Sequence, residues 1–437
     1  MLPPFAIIIC GALYALIAWK KPPFAIYGIA LLLPSYLIRF QVLGIPMTFL
    51  ELMILLLVVV SVAERRIDYK RIYKDPFFWP AVAVIVIATL AAIVSPAGVK
   101  AWGAWKAYFI EPVLFYWLML SLIKSRRTLE GVFWSLGISA IVVSLFAIWQ
   151  KFSGYGVPEG FLNDAGGVDR VVGFFGYPNA LGLFLGPIIV VYVGFLKYNS
   201  TSSPLFILSR TVRFWIKFSA IVVSLLVLFL AKSEGAILAI AVVVWLLLFT
   251  TKKTRIFALF LAVFCIIMIV ALPGIRDFAY IKLFLLDASG GVRRLMWGET
   301  WQLLKDNWLW GGGLSYFQEA IKAYHGGKYP LVPYPHNVVF NFWSELGILG
   351  LLTFVWLGVK FIYLNCKNIF KIIADYSQGL PFDKILSFVL LLVFLQMLIH
   401  GLVDAPYFKN DLSVLFWIIF GAASLNCSLK DSGKKEC

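Results

Sequence analysis

IFALFLAVFCIIMIVALP, residues 256–273, contains no charged, amide or hydroxyl side chain and directly follows KKTR at 252–255. A run of this length approaches the ~20 residues an α-helix needs to cross the hydrocarbon core of a bilayer. Between bilayer faces every backbone group must be satisfied internally, which leaves helices or closed barrels. The apolar residues are continuous rather than alternating, so the run reads as a helix. The same signature recurs at roughly 4–19, 23–38, 47–63, 77–95, 108–123, 130–150, 173–196, 214–231, 235–250, 337–359, 385–402 and 411–427. The first two runs are short and separated only by Lys20, Lys21 and Pro22, as in a tight hairpin or a re-entrant pair. The predicted fold is therefore an all-α integral membrane bundle of about 12–13 transmembrane helices.

Composition agrees with that reading. Of 437 residues, 62% are hydrophobic and 14% charged, whereas a soluble domain carries about 25% charged residues to cover its surface. Orientation follows from the basic residues. If 64–75 (Arg65, Arg66, Lys70, Arg71, Lys74) is cytoplasmic, alternation puts 20–22, 124–129, 197–213, 251–255, 360–384 and the C-terminal tail on the same side. With Lys217 that side holds 24 of the 38 Lys and Arg, and the other holds 14, seven of them in one loop at 274–335. Long loops cross membranes regardless of charge, so the short loops decide the orientation. The net charge of +16 then belongs to helix ends that meet anionic lipid head groups. It does not form a basic stripe for nucleic acid. The five cysteines, Cys10, Cys265, Cys366, Cys427 and Cys437, are dispersed and make neither a metal spacing nor a disulfide framework. The start has no basic leader, so the first span reads as a retained anchor.

Three segments on the sparsely basic side break the apolar pattern: 151–172, the turn KSEG at 232–235, and the loop 274–335 running into YPHN at 334–337. A structureless loop of that length is uncommon and usually functional. Within it, GGVRRLMWGETWQLLKDNWLWGGG (290–313) reads as an amphipathic helix over about 291–308, with Gly311 as its stop. Arg293 and Arg294 fall in its first turn, where the helix dipole disfavours cations. An anionic partner, whether substrate or lipid phosphate, explains them. The chain has three histidines. His336, between Pro335 and Asn337 at the mouth of a span, suits a general base near neutral pH, and equally a helix cap with Asn337. His400 and Asp404 are one turn apart and expected to hydrogen-bond to each other on one helix face. His325 reads as plain loop. Charges near mid-membrane are costly and often functional. Among Glu51, Glu111 and Glu345, Glu345 stands out because it shares a helix with His336. Lys232 and Glu234 flank the 232–235 turn, as site residues or as a surface salt pair.

The order of these motifs resembles the O-antigen ligase and O-antigen polymerase superfamily of bacterial envelope glycan transferases. The resemblance is carried by Arg170 followed by GFFGYPNALG (173–182) with Asn179, the KSEGA turn (232–236), and Arg293 four residues before Trp297. WLWGGGLSYF (308–317), PHNVVFNFWSELGILG (335–350) and HGLVDAP (400–406) complete it. It extends over about 151–406, between N-terminal helices at 1–150 and a last helix with its tail at 407–437. It implies transfer of a glycan from an undecaprenyl-diphosphate carrier to a sugar hydroxyl of a glycan, a lipid A-core or another acceptor. It also implies a site on the periplasmic or outer face of the bacterial inner membrane, inversion, no cofactor and no metal. His336 matches the family's activating histidine. Arg293, with Arg294 as neighbour, and Arg170 match its diphosphate-binding arginines. One departure stands out: many relatives carry Ser-Arg-Gly where this chain has Ser233-Glu234-Gly235, which leaves Lys232 as the nearest cation at the turn. A transporter or flippase of a lipid-linked saccharide is the alternative from another class. It fits the helix number but not the absence of an internal repeat or the clustering of polar residues outside the mid-membrane zone.

Overall fold

The computed structural model of the chain describes residues 3–42, 44–197, 209–250, 252–370 and 382–431. Parts of two expected basic segments (198–208 and 371–381) and the tail from 432, with Cys437, lie outside the described residues. The chain is an all-α membrane bundle. Seven described helices are long and apolar enough to cross a membrane: Arg126–Ser153, Pro178–Lys197, Thr211–Leu230, Thr254–Ala271, Val338–Lys367, Phe382–Gly401 and Asn410–Leu429. Pro4–Lys20, Pro22–Leu31, Phe49–Ala63, Phe78–Val94 and Glu234–Leu248 are shorter apolar helices. One apolar core draws on nearly all of them, from Ile7 to Leu425. The run at 256–273 sits at its margin: 6% of the Thr254–Ala271 window is buried in protein. A helix apolar on every side with so little protein cover is lipid-facing.

Proline chemistry reshapes two expected spans. The span at 23–38 is α-helical only over Pro22–Leu31 and continues as a 3₁₀ turn, Leu33–Leu37. Pro34 lacks an N–H and its ring crowds the preceding turn, which ends the α-helix. Ten helical residues rise ~15 Å, about half the hydrocarbon core. The chain then makes a hairpin, Arg39–Val42 against Ile45–Thr48, which the apolar pattern did not foretell. The span at 108–123 lies in a longer run, Val99–Ala104, a π-helical Trp105–Ile110, then Glu111–Leu122. Pro112 cannot donate to the carbonyl of Tyr108 four residues earlier, and the Tyr407 hydroxyl donates to it instead at 2.9 Å.

The long loop is built rather than structureless. It contains the helices Pro273–Leu283, Ala288–Asp306 and Phe317–Ala320 and a 3₁₀ turn, Ile321–Tyr324. The expected helix at 291–308 begins earlier because Asp287 caps it, its Oδ1 accepting from the Gly290 N–H at 3.1 Å. It ends at Asp306, so the three glycines do not stop it as expected. They serve close backbone packing instead. The Gly312 and Gly313 N–H groups donate to Ser344 O at 2.8 and 3.0 Å, and Gly311 has φ +67° with room for no Cβ beside Trp343 O. The partner helix Val338–Phe370 breaks at Gly347 (φ 71°, ψ −176°), where a Cβ would lie 1.9 Å from Leu309 O. Loop and helix thus touch backbone to backbone.

Candidate functional site

His336 begins from an unusual backbone. Its φ is 45°, a left-handed geometry that few side-chain-bearing residues adopt. Neighbouring bonds hold it there. Trp297 Nε1 of the loop helix donates to Pro335 O at 2.8 Å, and Asn337 Nδ2 donates to Leu402 O at 2.9 Å. Asn337 Oδ1 accepts from the Val339 and Phe340 N–H groups at 3.0 and 3.1 Å, so Asn337, not His336, caps the helix. The Tyr334 ring lies 4.3 Å from the imidazole.

His336 Nδ1 faces Asp404 Oδ1 at 3.4 Å; the histidine side chain is 24% exposed and the aspartate 1%. Asp404 also accepts from the Ala405 N–H at 2.9 Å. Burial alone would raise its carboxyl. The hydrogen bond and charge of His336, the charge of His400 and the Ala405 N–H outweigh burial and hold it down to about 2. An ionised acceptor there assigns the Nδ1 proton to His336 and leaves Nε2 as the free lone pair. The Tyr334 hydroxyl faces the same carboxylate and is pushed well up, first by burial and then by the Asp404 charge. The expected His400–Asp404 hydrogen bond is not made. Helix Phe382–Gly401 stops before Asp404, the chain turns through Val403 N–H to His400 O, and His400 Nδ1 has no partner among the described residues.

Arg293 reaches this pair through the backbone. Its Nε donates to Val403 O at 3.2 Å, one residue before Asp404, and its Nη1 to Ser289 Oγ at 2.7 Å. Arg170 approaches from the segment before Pro178–Lys197. It donates to Ala231 O (2.9 Å), Asn179 Oδ1 (3.3 Å) and Lys232 O (3.4 Å), so it shapes the KSEG turn. Burial lowers the Arg170 guanidinium and the Arg293 charge pushes the same way, against Asp169 and Glu234. It stays charged all the same, since guanidinium does not titrate in proteins. Arg170 and Arg293 thus each donate to a backbone carbonyl of a connection, Ala231 O and Val403 O respectively.

The remaining predicted residues divide plainly. Lys232, itself at φ 50°, places its ammonium 2.6 Å from Asp169 Oδ1, so its charge is matched locally. Glu234 meets Lys282 at 2.6 Å, and Lys282 meets Asp287, the cap of the loop helix, at 2.8 Å. Hydrogen bonds to Asp287 and Glu234 hold Lys282 above its ordinary value. Glu234 thus ties the bundle to the loop through Lys282, while its charge also acts on Arg170. Arg294 is exposed and makes no hydrogen bond or ion pair among the described residues. Glu345 is buried and its Oε2 accepts from the Ser315 N–H at 2.5 Å, which fastens the loop to the helix away from His336. His325, read as plain loop, lies 3.2 Å from Glu299 Oε2; Gly326 N–H and the Tyr329 hydroxyl also donate to Glu299. Tyr334, against Asp404, and Lys282, between Glu234 and Asp287, were not foreseen. Their only sequence signal is position: each is a polar residue in a connection at the end of the bundle that carries His336. Among the described residues no group of three or more His, Cys, Asp or Glu side chains is placed to hold a metal.

Residues 219–355 match the family model described as O-antigen ligase. The match takes in the KSEG turn, the loop with Arg293, and His336 with the first half of its helix. Over these residues the chain is similar to the family that the motifs resemble. A search of curated proteins gave no match.

Proposed function

We propose that this O-antigen ligase-type membrane protein is an inverting, metal-independent glycosyltransferase. Its donor is a glycan on undecaprenyl diphosphate, and its acceptor is a hydroxyl of a glycan, lipid A-core or other sugar. The observation that carries the reading is the His336–Asp404 pair at 3.4 Å with Arg293 bonded to the adjoining Val403 carbonyl. The donor's leaving group is a diphosphate whose charge grows as the glycosidic bond breaks. Pre-set cations in a partly buried site stabilise such charge most effectively, and guanidinium binds phosphate oxygens in a fork. Arg293 and Arg170 take that role. The acceptor O–H gives its proton to His336 Nε2 while its oxygen bonds to the anomeric carbon. The carbon–oxygen bond to the diphosphate breaks, and its electron pair leaves with that group. Asp404 keeps the imidazole in the required tautomer and stabilises the imidazolium that results. The basic-residue count, 24 of 38 on the opposite side, supports a site on the periplasmic or outer face of the bacterial inner membrane.

The test is glycan transfer by purified protein given undecaprenyl-diphosphate glycan and candidate acceptors. His336→Ala is expected to lower the rate by roughly 10²- to 10⁴-fold, the usual contribution of a positioned base, and Arg293→Ala to lower it as well. Unchanged product formation in both variants would overturn the assignment. Carrier translocation without any new glycosidic bond would favour transport.

A further inference from the structure

The helices Pro4–Lys20 and Phe49–Ala63 meet at Gly11, where a Cβ would lie 3.4 Å from Leu52 Cδ2. Between these helices and the hairpin Arg39–Val42/Ile45–Thr48 lies a cavity of about 1020 Å³. That is large enough for a drug-sized or lipid-sized molecule. Ile7, Ile8, Gly11, Leu52 and Leu56 make its helical walls, and Phe40 lines it from the hairpin. Polar side chains enter it only from the hairpin, as Arg39 and Gln41. Along the first helix the lining runs from Pro4 to Ala12, a rise of ~12 Å. This falls within the ~15 Å that one leaflet contributes to the hydrocarbon core.

The hairpin is fastened at the bundle end that carries His336. Lys106 Nζ donates to Pro46 O at 3.2 Å and to Glu51 Oε2 at 3.1 Å. Asn410 Nδ2, just after the connection that carries Asp404, donates to Glu51 Oε1 at 3.1 Å. The charge of Lys106 is therefore met by Glu51, as that of Lys232 is met by Asp169. Arg39 differs: it is exposed on the hairpin and makes no hydrogen bond or ion pair among the described residues. Its guanidinium keeps a planar fork of donors at the one polar edge of an apolar cavity. A phosphodiester fits such a fork, and basic groups between transmembrane helices bind anionic lipid head groups.

We infer that this cavity binds an anionic glycerophospholipid of the leaflet on the hairpin's side, with its phosphate on Arg39 and an acyl chain along Ile7, Gly11 and Leu56. Charge and depth choose this occupant. One guanidinium matches the single charge of a phosphodiester, and the cavity is as deep as one leaflet. An undecaprenyl chain is longer than a leaflet is deep, and neither Arg170 nor Arg293 lines this cavity. The bound lipid packs the first helix against the hairpin. The site shares no lining residue with the His336 region and stands whether or not the chain transfers glycan.

The test is photo-crosslinking of full-length protein in nanodiscs of equimolar phosphatidylglycerol and phosphatidylcholine with matched chains. One lipid at a time carries a photoreactive acyl chain, and mass spectrometry of the peptides locates the adduct. The phosphatidylglycerol probe is expected to label 4–12 and 52–56 well above the phosphatidylcholine probe. Arg39→Gln should lower that preference roughly tenfold or more, the scale of a lost charge-assisted hydrogen bond, while Arg39→Lys retains part of it. Ala12→Trp fills the cavity and should suppress labelling by both probes. Thermal unfolding of each variant checks the fold; Arg39 has no protein partner to lose, so Arg39→Gln decides if Ala12→Trp does not fold. Equal labelling by the two probes in the wild type, or an unchanged preference in Arg39→Gln, would overturn the inference. Undecaprenyl phosphate displacing the probe more strongly than unlabelled phosphatidylglycerol does would assign the cavity to a polyprenyl carrier and overturn it as well.

Discussion

At φ 45° His336 occupies a conformation that costs on the order of 1–3 kcal/mol. It is kept there by bonds made by its neighbours: Trp297 on Pro335 O and Asn337 on Leu402 O. The backbone strain aims the ring at Asp404. Asp404 ionises in the unfolded chain near 3.9 and in the folded protein near 2. Its ionisation therefore contributes stability, about 2–3 kcal/mol by linkage, that is fully present above pH ~4. That contribution is lost as pH falls through 2. Asp404→Asn should flatten thermal stability between about pH 4 and pH 2, measured in detergent or nanodiscs. The same variant leaves His336 without its orienting anion, so transfer should fall even at pH 7, where the fold is intact. Transfer at the wild-type rate by a folded Asp404→Asn protein would show that the pair is merely adjacent.

Among the elements, the loop helix Ala288–Asp306 is the one that bears Arg293. Besides the bonds from Trp297 to Pro335 O and from Arg293 to Val403 O, two further contacts help hold it in place. The first is the backbone contact at Gly347, whose φ and ψ fall in a region open essentially to glycine alone. Gly347→Ala should cost on the order of 3 kcal/mol or more, because the added methyl meets Leu309 O and the backbone is forced. Its thermal midpoint should drop far below that of Gly274→Ala, where a Cβ meets nothing within 4 Å. The second is the strut from Glu234 through Lys282 to Asp287. Glu234 is largely exposed, so its pairing with Lys282 is worth under ~1 kcal/mol. Lys282→Met should accordingly leave global stability nearly unchanged while raising amide exchange across 284–294. If exchange there stays at the wild-type rate, the strut does not order the loop. This strut also gives Glu234 a physical setting: it joins the turn at 232–235 to the loop that bears Arg293.

Across the whole molecule, the site end collects the connections around Arg170, Lys232, Arg293, His336 and Asp404, while Lys70, Arg71 and Lys74 lie at the end opposite in the expected alternation. Single cysteines at Lys74 and Lys305, in a background without the native cysteines, should therefore label oppositely in intact cells. Lys305→Cys should react with an impermeant maleimide from outside, and Lys74→Cys only after permeabilisation. Equal labelling would reverse or break the predicted topology. The bundle itself was legible in the sequence, because an apolar run such as 256–273 has no stable alternative to a lipid-facing helix. The sequence also marked His336, Arg293 and Arg170 as candidates, since their ordered motifs stand where the apolar pattern fails. What the sequence could not reveal was partnership. One-turn spacing suggested His400 for Asp404, but the helix ends at Gly401 and the chain turns Asp404 toward His336 instead. Lys232 reads in the sequence as a site residue or as the salt partner of Glu234, but its partner is Asp169, distant along the chain. Hydropathy is a local property, so the membrane crossings were decided residue by residue along the chain. Hydrogen bonds and ion pairs join residues up to hundreds of positions apart, so the composition of the site was decided only when the loop packed onto the bundle.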